Sequence, residues 1–268
     1  MRKALTITLL STLFCMSTGV AQTLEKIQWM TEEYPPYNFV ENNLPKGISV
    51  DLLLAVWKKA GLKKTAADIN FVPWARGVKT LNLRPNTCLF STSLTEERKT
   101  IFGWKYVYPI PLINPDTDDH IIARKDKNIK FNSVDDFKKY NEHFGVIRGD
   151  VGATLLIENG VVPHQLDKAA SPELLIKKLY MGRHDVISYS FSSTITQLKE
   201  AGQDPGDYEI VFSFPAVTIG YAFNKDVNPD IITRLQTILN ELHRDGTAEK
   251  IRQKYNRPKE GTNDPFIK

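Results

Sequence analysis

The sequence is poor in cysteine, and this shortage excludes a disulfide-stabilised fold. Its 268 residues contain two cysteines, Cys15 and Cys88. Cys15 falls in a predicted N-terminal leader, so the mature chain has no partner for Cys88. Cys88 lies in the apolar run 87–90, where we expect a buried and inert thiol rather than a nucleophile. The stability of the protein must therefore come from packing.

The sequence also lacks motifs that would hold a metal or a cofactor. No two of its histidines stand at the spacing of metal ligands. They are His120, His143, His164, His184 and His243. A nucleophile elbow, a phosphate-binding loop and a dinucleotide-binding fingerprint are missing as well. We therefore predict no cofactor, no metal site and no enzymatic activity.

No strong charge of one sign is present, and the N-terminus explains part of the small excess. Residues 1–21 combine Arg2 and Lys3, a short apolar stretch and a small-residue site at Gly19-Val20-Ala21, which predicts a signal peptide cleaved near Ala21. Its apolar run is shorter than the roughly 18 to 20 residues that span a bilayer. Removing it leaves 33 basic and 31 acidic residues. This balance argues against nucleic-acid binding and fits a monomer exported to the periplasm.

Segments of strand character alternate with amphipathic helical segments, which indicates an α/β fold with mainly parallel sheets. The clearest helix is predicted over 49–59, with Ser49 as its N-cap and Gly61 as its stop. A proline-rich stretch at 108–111 marks a point where the chain leaves a first sheet. A second crossing is predicted near 214–217.

Five short motifs stand in a characteristic order along the chain. They are Tyr34-Pro35-Pro36-Tyr37, Gly47-Ile48-Ser49-Val50-Asp51-Leu52, Ser91-Thr92-Ser93-Leu94-Thr95-Glu96-Glu97-Arg98, Gly182-Arg183-His184-Asp185 and Asp245-Gly246-Thr247 followed by Ile251 and Lys254-Tyr255. In this order the chain resembles the bacterial family 3 extracellular solute-binding proteins, the periplasmic receptors of polar amino acid importers. The resemblance implies a two-lobed clamshell of the type II periplasmic-binding fold, joined by two hinge strands. Lobe 1 would comprise 22–117 and 216–268, and lobe 2 would comprise 118–215.

The resemblance also implies a set of ligand-binding residues in lobe 1. Arg98 would grip the carboxylate of the ligand, because a guanidinium offers two parallel donors and keeps its charge. Ser91 and Ser93 would assist it. The aromatic walls would be Tyr34, Tyr37 and Trp74, with Arg76 as a second positive group. The alternatives are a surface ion pair for Arg98 and ordinary core packing for the aromatic residues.

In lobe 2 the sequence departs from the pattern of amino acid receptors. The turn Gly149-Asp150-Val151-Gly152 stands where those receptors carry Thr or Ser, although its backbone amides can still donate to a carboxylate. Asp150 then either caps the following helix or meets a cationic part of the ligand. Ser190 stands where an acid usually holds the ammonium group of the ligand. This replacement argues against a standard α-amino acid.

The predicted function is the capture of a small carboxylate-bearing ligand, an amino acid or a related compound, for the membrane permease of an ABC importer. Two alternatives remain open at this point. One is a dehydratase-like enzyme on the same scaffold, in which Glu173 or Asp150 would transfer a proton. The other is a receptor that hands its ligand to a membrane signalling protein.

Overall fold

The computed structural model describes residues 24–111, 119–215 and 217–255. The predicted signal peptide lies outside these ranges. So do the predicted boundary at 117/118, residue 216 of the second boundary and the C-terminal residues from 256 to 268.

Twelve strands within the described residues form two five-stranded sheets and a hairpin. In chain order they are β1 Gln28–Thr31, β2 Phe39–Glu41, β3 Leu44–Lys46, β4 Ile69–Phe71, β5 Thr87–Ser93, β6 Lys105–Val107, β7 Asp119–Arg124, β8 Phe144–Ile147, β9 Leu166–Ala169, β10 Val186–Ser190, β11 Tyr208–Ser213 and β12 Ile219–Phe223. The first sheet has the order β4-β1-β5-β12-β6 and the second the order β11-β7-β10-β8-β9, while β2 and β3 pair as the hairpin. We call the residues around the first sheet (24–107 and 219–255) lobe 1 and those around the second (119–213) lobe 2.

Eight helices cover these sheets within the same ranges. They are α1 Ile48–Ala60, α2 Trp74–Leu83, α3 Glu96–Thr100, α4 Val151–Glu158, α5 Pro172–Tyr180, α6 Phe191–Glu200, α7 Pro229–Arg244 and α8 Thr247–Tyr255. The segment Val134–Lys139, which Ser133 precedes, is a 3-10 helix. None of the helices in the described ranges combines the length and the apolar character that crossing a membrane requires.

The α/β class is as predicted, but both sheets are mixed rather than mainly parallel. In the first sheet β1 pairs with β4 and β5 in parallel, whereas β12 is antiparallel to β5 and β6. In the second, β8 pairs in parallel with β9 and β10, whereas β7 is antiparallel to β10 and β11. The antiparallel pairs arise where the chain leaves or enters a sheet at a crossing. No crossover helix is needed there, so the local alternation of strand and helix does not reveal them.

Helix α1 begins earlier than predicted, and the difference bears on the cleft between the lobes. Its N-cap is Gly47 at a φ of 120°, and Ser49 lies inside the helix without serving as its cap. The Ser49 hydroxyl instead contacts the Ser91 hydroxyl at 2.7 Å. Gly61 ends the helix in the left-handed conformation, as predicted.

Each lobe has its own apolar core. In lobe 1 the Trp29 ring on β1 packs edge-on against Trp57 of α1 and Phe223 of β12, with centroids 5.4 and 5.6 Å apart. In lobe 2 the Phe137 ring packs at 4.9 Å against Phe212 of β11. Cys88 is buried in the lobe 1 core as a free thiol. These two cores hold the facing edges of the lobes as rigid walls.

Two glycines at the ends of α1 provide a matched test of backbone constraint. A Cβ at Gly47 would lie 2.2 Å from the Tyr37 carbonyl oxygen, whereas one at Gly61 (φ 78°) would meet nothing within 4 Å. We expect Gly61→Ala to cost about 1–2 kcal/mol through its left-handed conformation alone, which lowers Tm by about 2–8 °C. Gly47→Ala should lower Tm clearly further, because the turn at 34–38 must move. Equal shifts of the two variants in thermal unfolding would contradict this packing.

A cleft between the lobes as candidate ligand-binding site

A narrow cavity, open at its mouth, lies between the two lobes. Its walls come from both sides: Glu32, Tyr34, Trp74, Ser91, Ser93 and Ile219 from lobe 1, and Asp119, Asp150, Val151, Tyr189 and Ser190 from lobe 2. Glu32, Asp150 and Ser190 stand at or just beyond the carboxyl ends of β1, β8 and β10, the edge at which open α/β sheets bind ligands.

The structure places most of the predicted binding residues at this cavity. Those that line it are Tyr34, Trp74, Ser91, Ser93, Asp150, Val151 and Ser190. Tyr37 is fully buried behind Tyr34, with the two rings stacked at 5.0 Å. Arg76 is exposed on α2 and is not among the lining residues. Glu173, the alternative proton donor, is exposed on α5 and also lies outside the cavity wall.

Arg98 lies immediately behind the wall rather than on it. Its position is set locally, because Thr95 caps α3 and its hydroxyl accepts a hydrogen bond from the Arg98 backbone amide at 3.2 Å. The guanidinium carbon is 5.2 Å from the ring centroid of Trp74 and 5.7 Å from that of Trp104. Both distances fall within the range of attraction between a cation and an aromatic face.

The guanidinium of Arg98 is only partly used by the protein. Nη1 donates to the Ser93 carbonyl oxygen at 3.0 Å, and the Tyr106 hydroxyl donates to the same oxygen at 3.1 Å. Its other N–H groups have no hydrogen-bond partner in the described part of the chain, and no carboxylate there lies within ion-pair distance. The predicted alternative of a surface ion pair is therefore not what the structure has, since only 5% of Arg98 is exposed.

Ser91 lines the cavity, while its hydroxyl is held within lobe 1. It adopts a φ of 58° where β5 bulges opposite Gly220 and Tyr221. Its hydroxyl donates to the side-chain oxygen of Asn38 and contacts Ser49. The hydroxyl thus ties β5 to the turn and to α1 of its own lobe, while the residue still borders the cavity.

The lobes touch each other directly at two aromatic residues of lobe 1. The Trp74 indole N–H donates a hydrogen bond of 2.8 Å to the carbonyl oxygen of Gly149 in lobe 2. The Tyr34 ring packs edge-on against Tyr189 of β10, with centroids 5.7 Å apart. Because these contacts bridge separate sheets, they exist only while the cleft is closed.

In lobe 2, Asp150 caps α4, one of the two roles considered for it. Its Oδ1 accepts the Val151 backbone amide at 2.7 Å, so that amide is already occupied within the turn. Burial raises the pKa of Asp150 above its ordinary value, while Arg98 and the bond from Val151 lower it. Arg98 therefore acts on Asp150 across the cleft without forming an ion pair with it.

Ser190 is occupied as well, but a carboxylate stands beside it. Its hydroxyl accepts the Ser193 amide at 3.3 Å and thereby caps α6. Asp119 on β7 is its directly opposed register partner, and such pairs place their Cβ atoms about 4.5–5.5 Å apart on one face of a sheet. Asp119 is 8% exposed and lines the cavity. Sequence reasoning missed this residue, because only the pairing of β7 with β10 reveals it.

Glu32 is the second acid that the sequence reasoning did not single out. It follows β1 directly, and its Oε2 is buried with no hydrogen-bond partner in the described residues. Burial raises the pKa of Glu32 well above its ordinary value; Asp150 and Glu33 raise it too, and Arg98 lowers it. Its place at the carboxyl end of a central strand was the available signal.

The site has no arrangement suited to a metal ion in the described residues, where no group of three His, Cys, Asp or Glu side chains is close enough to hold one. What the cavity offers is one partly unsatisfied guanidinium behind one wall, three carboxylates along its surface, and aromatic faces. These groups suit a small organic ligand with charges of both signs.

Comparison with known proteins places this geometry in context. The Bacillus subtilis (strain 168) protein described as "Probable amino-acid-binding protein YxeM" is 25% identical over 226 residues, which cover 82% of this chain and 79% of that protein. A mutant of ArgBP from T. maritima shares the fold with a TM-score of 0.72 at 18% identity, over 89% of this chain and 98% of that one. A histidine kinase sensor domain with similarity to periplasmic binding proteins has a TM-score of 0.69 at 22% identity, over 86% and 95% of the two chains.

The family itself follows from the sequence match and agrees with the two-lobed fold and the cleft. The sequence pattern of one family covers residues 27–258, which is most of the chain. The chain belongs to the bacterial extracellular solute-binding proteins, family 3.

Proposed function

We propose that this protein is a periplasmic receptor that closes its two lobes around a small amino-acid-type ligand and delivers it to the permease of an ABC importer. The observation that carries the proposal is the cleft itself. It joins a guanidinium with unused donors in lobe 1 to a carboxylate-lined wall in lobe 2. A ligand with a carboxylate at one end and an ammonium group at the other is complementary to both walls.

The carboxylate of the ligand is proposed to bind at Arg98. Its guanidinium is already oriented by the two indole rings and the Ser93 carbonyl, so little side-chain freedom is lost when a ligand binds. The unused N–H groups would donate to the carboxylate. Hydrogen bonds to charged groups contribute roughly 1.5–3 kcal/mol each, so this contact decides whether binding is measurable.

The ammonium group of the ligand is proposed to bind at Asp119. Its register partner Ser190 is a neutral hydroxyl and is committed to capping α6. A carboxylate on the neighbouring strand restores the negative charge at nearly the same place. In this proposal Asp119 takes the role for which Ser190 is unsuited, and the ligand can be an α-amino acid.

Closure is proposed to follow a hinge at the two crossings. The chain leaves the first sheet after β6 and returns with β12, so lobe 1 comprises 22–117 and 216–268 and lobe 2 comprises 118–215 in this proposal. A ligand between the lobes would favour the closed form, which the bond from Trp74 to Gly149 also stabilises. The cleavable signal peptide at 1–21 and a monomeric state belong to the same proposal.

A sensory role is the second candidate, favoured by the likeness to the histidine kinase sensor domain. Both roles need the same closed complex and differ only in the membrane partner. Uptake of the ligand by cells that lack the gene separates them: lost uptake supports the importer, whereas normal uptake with lost ligand-dependent transcription supports the sensor. Turnover of the ligand, followed by mass spectrometry, would instead identify an enzyme.

Arg98→Lys tests the carboxylate contact. We expect Kd, measured by calorimetry with whichever amino acid raises Tm most in a screen, to rise about 10- to 100-fold, because lysine cannot form the paired donors. Arg84→Lys, an exposed position at the end of α2, is the control and should keep the original Kd. Because Arg98 is buried, the Tm without ligand is measured in parallel. An unchanged Kd for Arg98→Lys would mean that the carboxylate of the ligand binds at another residue.

Asp119→Asn tests the ammonium contact. Loss of the negative charge should weaken binding of the same amino acid at least about tenfold. Asp185→Asn is the matched control, since Asp185 stands at the other end of β10 and pairs with Lys127 at 3.1 Å. Its effect should be confined to a small change in Tm. If both variants bind equally well, Asp119 has no role in recognition.

Trp74→Phe tests the contact between the lobes. The variant keeps an aromatic face over Arg98 but loses the N–H that reaches Gly149, so we expect the dissociation rate to rise about 2- to 10-fold. Trp104→Phe is the comparison, because its indole N–H bonds to Asn82 within lobe 1 at 2.6 Å. That variant should lower Tm without ligand and change the dissociation rate less. The reverse order, seen by stopped-flow fluorescence, would refute the role of Trp74.

A further inference from the structure

The cleft carries more negative charge than the ammonium group of an α-amino acid requires. Glu32, Asp119 and Asp150 all line the cavity, and none of the described residues that line it is Lys, Arg or His. Within the described ranges Arg98 is the one cation that lowers the pKa of Glu32 and Asp150, and it does so at a distance longer than an ion pair. If Asp119 holds the ammonium group, two carboxylates remain.

The two remaining carboxylates come from opposite lobes. Glu32 follows β1 in lobe 1, and Asp150 precedes α4 in lobe 2. Each belongs to the wall of one cavity, and the negative charge of Asp150 raises the pKa of Glu32. Closing the lobes therefore brings two like charges towards each other in a largely buried site. Closure then costs either this repulsion or the uptake of a proton, the direction in which the raised pKa values of Glu32 and Asp150 point, and a positive charge between the two groups removes both costs.

Unsatisfied polar atoms mark the same end of the cavity. Glu32 Oε2 is buried without a hydrogen-bond partner in the described residues. The Tyr189 side chain is 3% exposed, lines the cavity, and its hydroxyl has no partner of acceptable geometry there, although Ser193 lies close enough to lower its pKa. Buried polar groups are normally paired in folded proteins. A carboxylate oxygen and a hydroxyl left open in one cavity point to a donor that the ligand brings.

A neutral ligand would not satisfy this arrangement. A hydroxyl or an amide can donate to Glu32, but the two acids must then either stay charged beside each other or take up a proton on closure. An ammonium or guanidinium group donates several hydrogen bonds and supplies the opposite charge at the same time. It also has free donors to share with the Tyr189 hydroxyl.

We propose that the ligand is an α-amino acid with a cationic side chain, whose side-chain cation lies between Glu32 of lobe 1 and Asp150 of lobe 2. This inference rests on the proposed function, since Arg98 and Asp119 hold the α-carboxylate and the α-ammonium group. The side-chain cation then links the lobes, because its partners belong to different sheets. Ligand charge, and not only ligand shape, thereby controls closure.

Pairs of ligands that differ in charge but hardly in shape test this inference. Lysine and norleucine form one such pair, and arginine and citrulline form the other. We expect lysine or arginine to bind at least 30-fold more tightly than its neutral counterpart in calorimetry with the full mature chain. Cadaverine and agmatine, which lack the carboxylate, test Arg98 independently and should bind more weakly than the parent amino acids.

Glu32→Gln tests whether Glu32 produces the preference for a cationic ligand. The variant keeps the size and hydrogen-bonding capacity of the side chain but removes its charge, so the preference for the cationic member of each pair should fall to within about threefold. Glu33→Gln is the matched control, because the Glu33 side chain accepts the Val40 amide at an exposed position outside the cavity. It should retain the full preference. Asp150→Asn serves as a second variant. Because Asp150 caps α4, circular dichroism checks that this helix still forms.

The outcomes separate this inference from the proposed function. If norleucine binds as tightly as lysine, and citrulline as tightly as arginine, the inference of a cationic side chain is wrong. The proposed function as an amino acid receptor still holds in that case, provided that Arg98→Lys weakens binding. If cadaverine or agmatine binds more tightly than its parent amino acid, the cation between the lobes is supported, but the proposed contact between Arg98 and the ligand carboxylate is wrong. Binding of none of these six compounds would overturn the inference altogether.

Discussion

The buried guanidinium of Arg98 is the interaction on which the cleft depends. Two indole rings hold it, and its bond to the Ser93 carbonyl is shared with Tyr106. A buried cation without a carboxylate partner is costly unless aromatic faces and carbonyl oxygens replace its water. Trp74 supplies one of these faces and also reaches Gly149 in the other lobe. The group that would bind the ligand and the group that joins the lobes are therefore in direct contact.

The negative charges on the two walls of the cleft oppose closure of the lobes when no ligand is bound. Glu32 and Asp150 face one cavity from different lobes, and burial raises the pKa of both carboxyl groups. In the open form each carboxylate would be solvated, so the cost arises mainly on closing. A guest that neutralises them removes this cost and keeps the lobes together. In the proposal, the closed form then depends on the ligand as well as on the contacts that Tyr34 and Trp74 make with the other lobe.

Asp119 and Ser190 show why a family pattern at one position does not fix the charge of a site. Ser190 stands where receptors of this kind carry an acid, and its hydroxyl is used to cap α6. Asp119 is its direct neighbour across β7 and β10. Charge at a site depends on what surrounds it in space, and a neighbouring strand can supply it as well as the strand itself. The proposed ammonium contact therefore rests on Asp119 rather than on Ser190.

The sequence by itself determined the features that depend on neighbouring residues. It predicted the α/β alternation and the helix ended by Gly61, and it contained the motif 91–98 through which the resemblance singled out Arg98. Only the tertiary structure decided what depends on distant residues. The antiparallel pairings, the use of Ser49 and Ser91 within one lobe, the depth at which Arg98 is buried, and the approach of Glu32, Asp119 and Asp150 to one cavity belong to this second group. Periodicity and capping act over a few positions, whereas strand register and lobe closure join residues that are far apart in the chain.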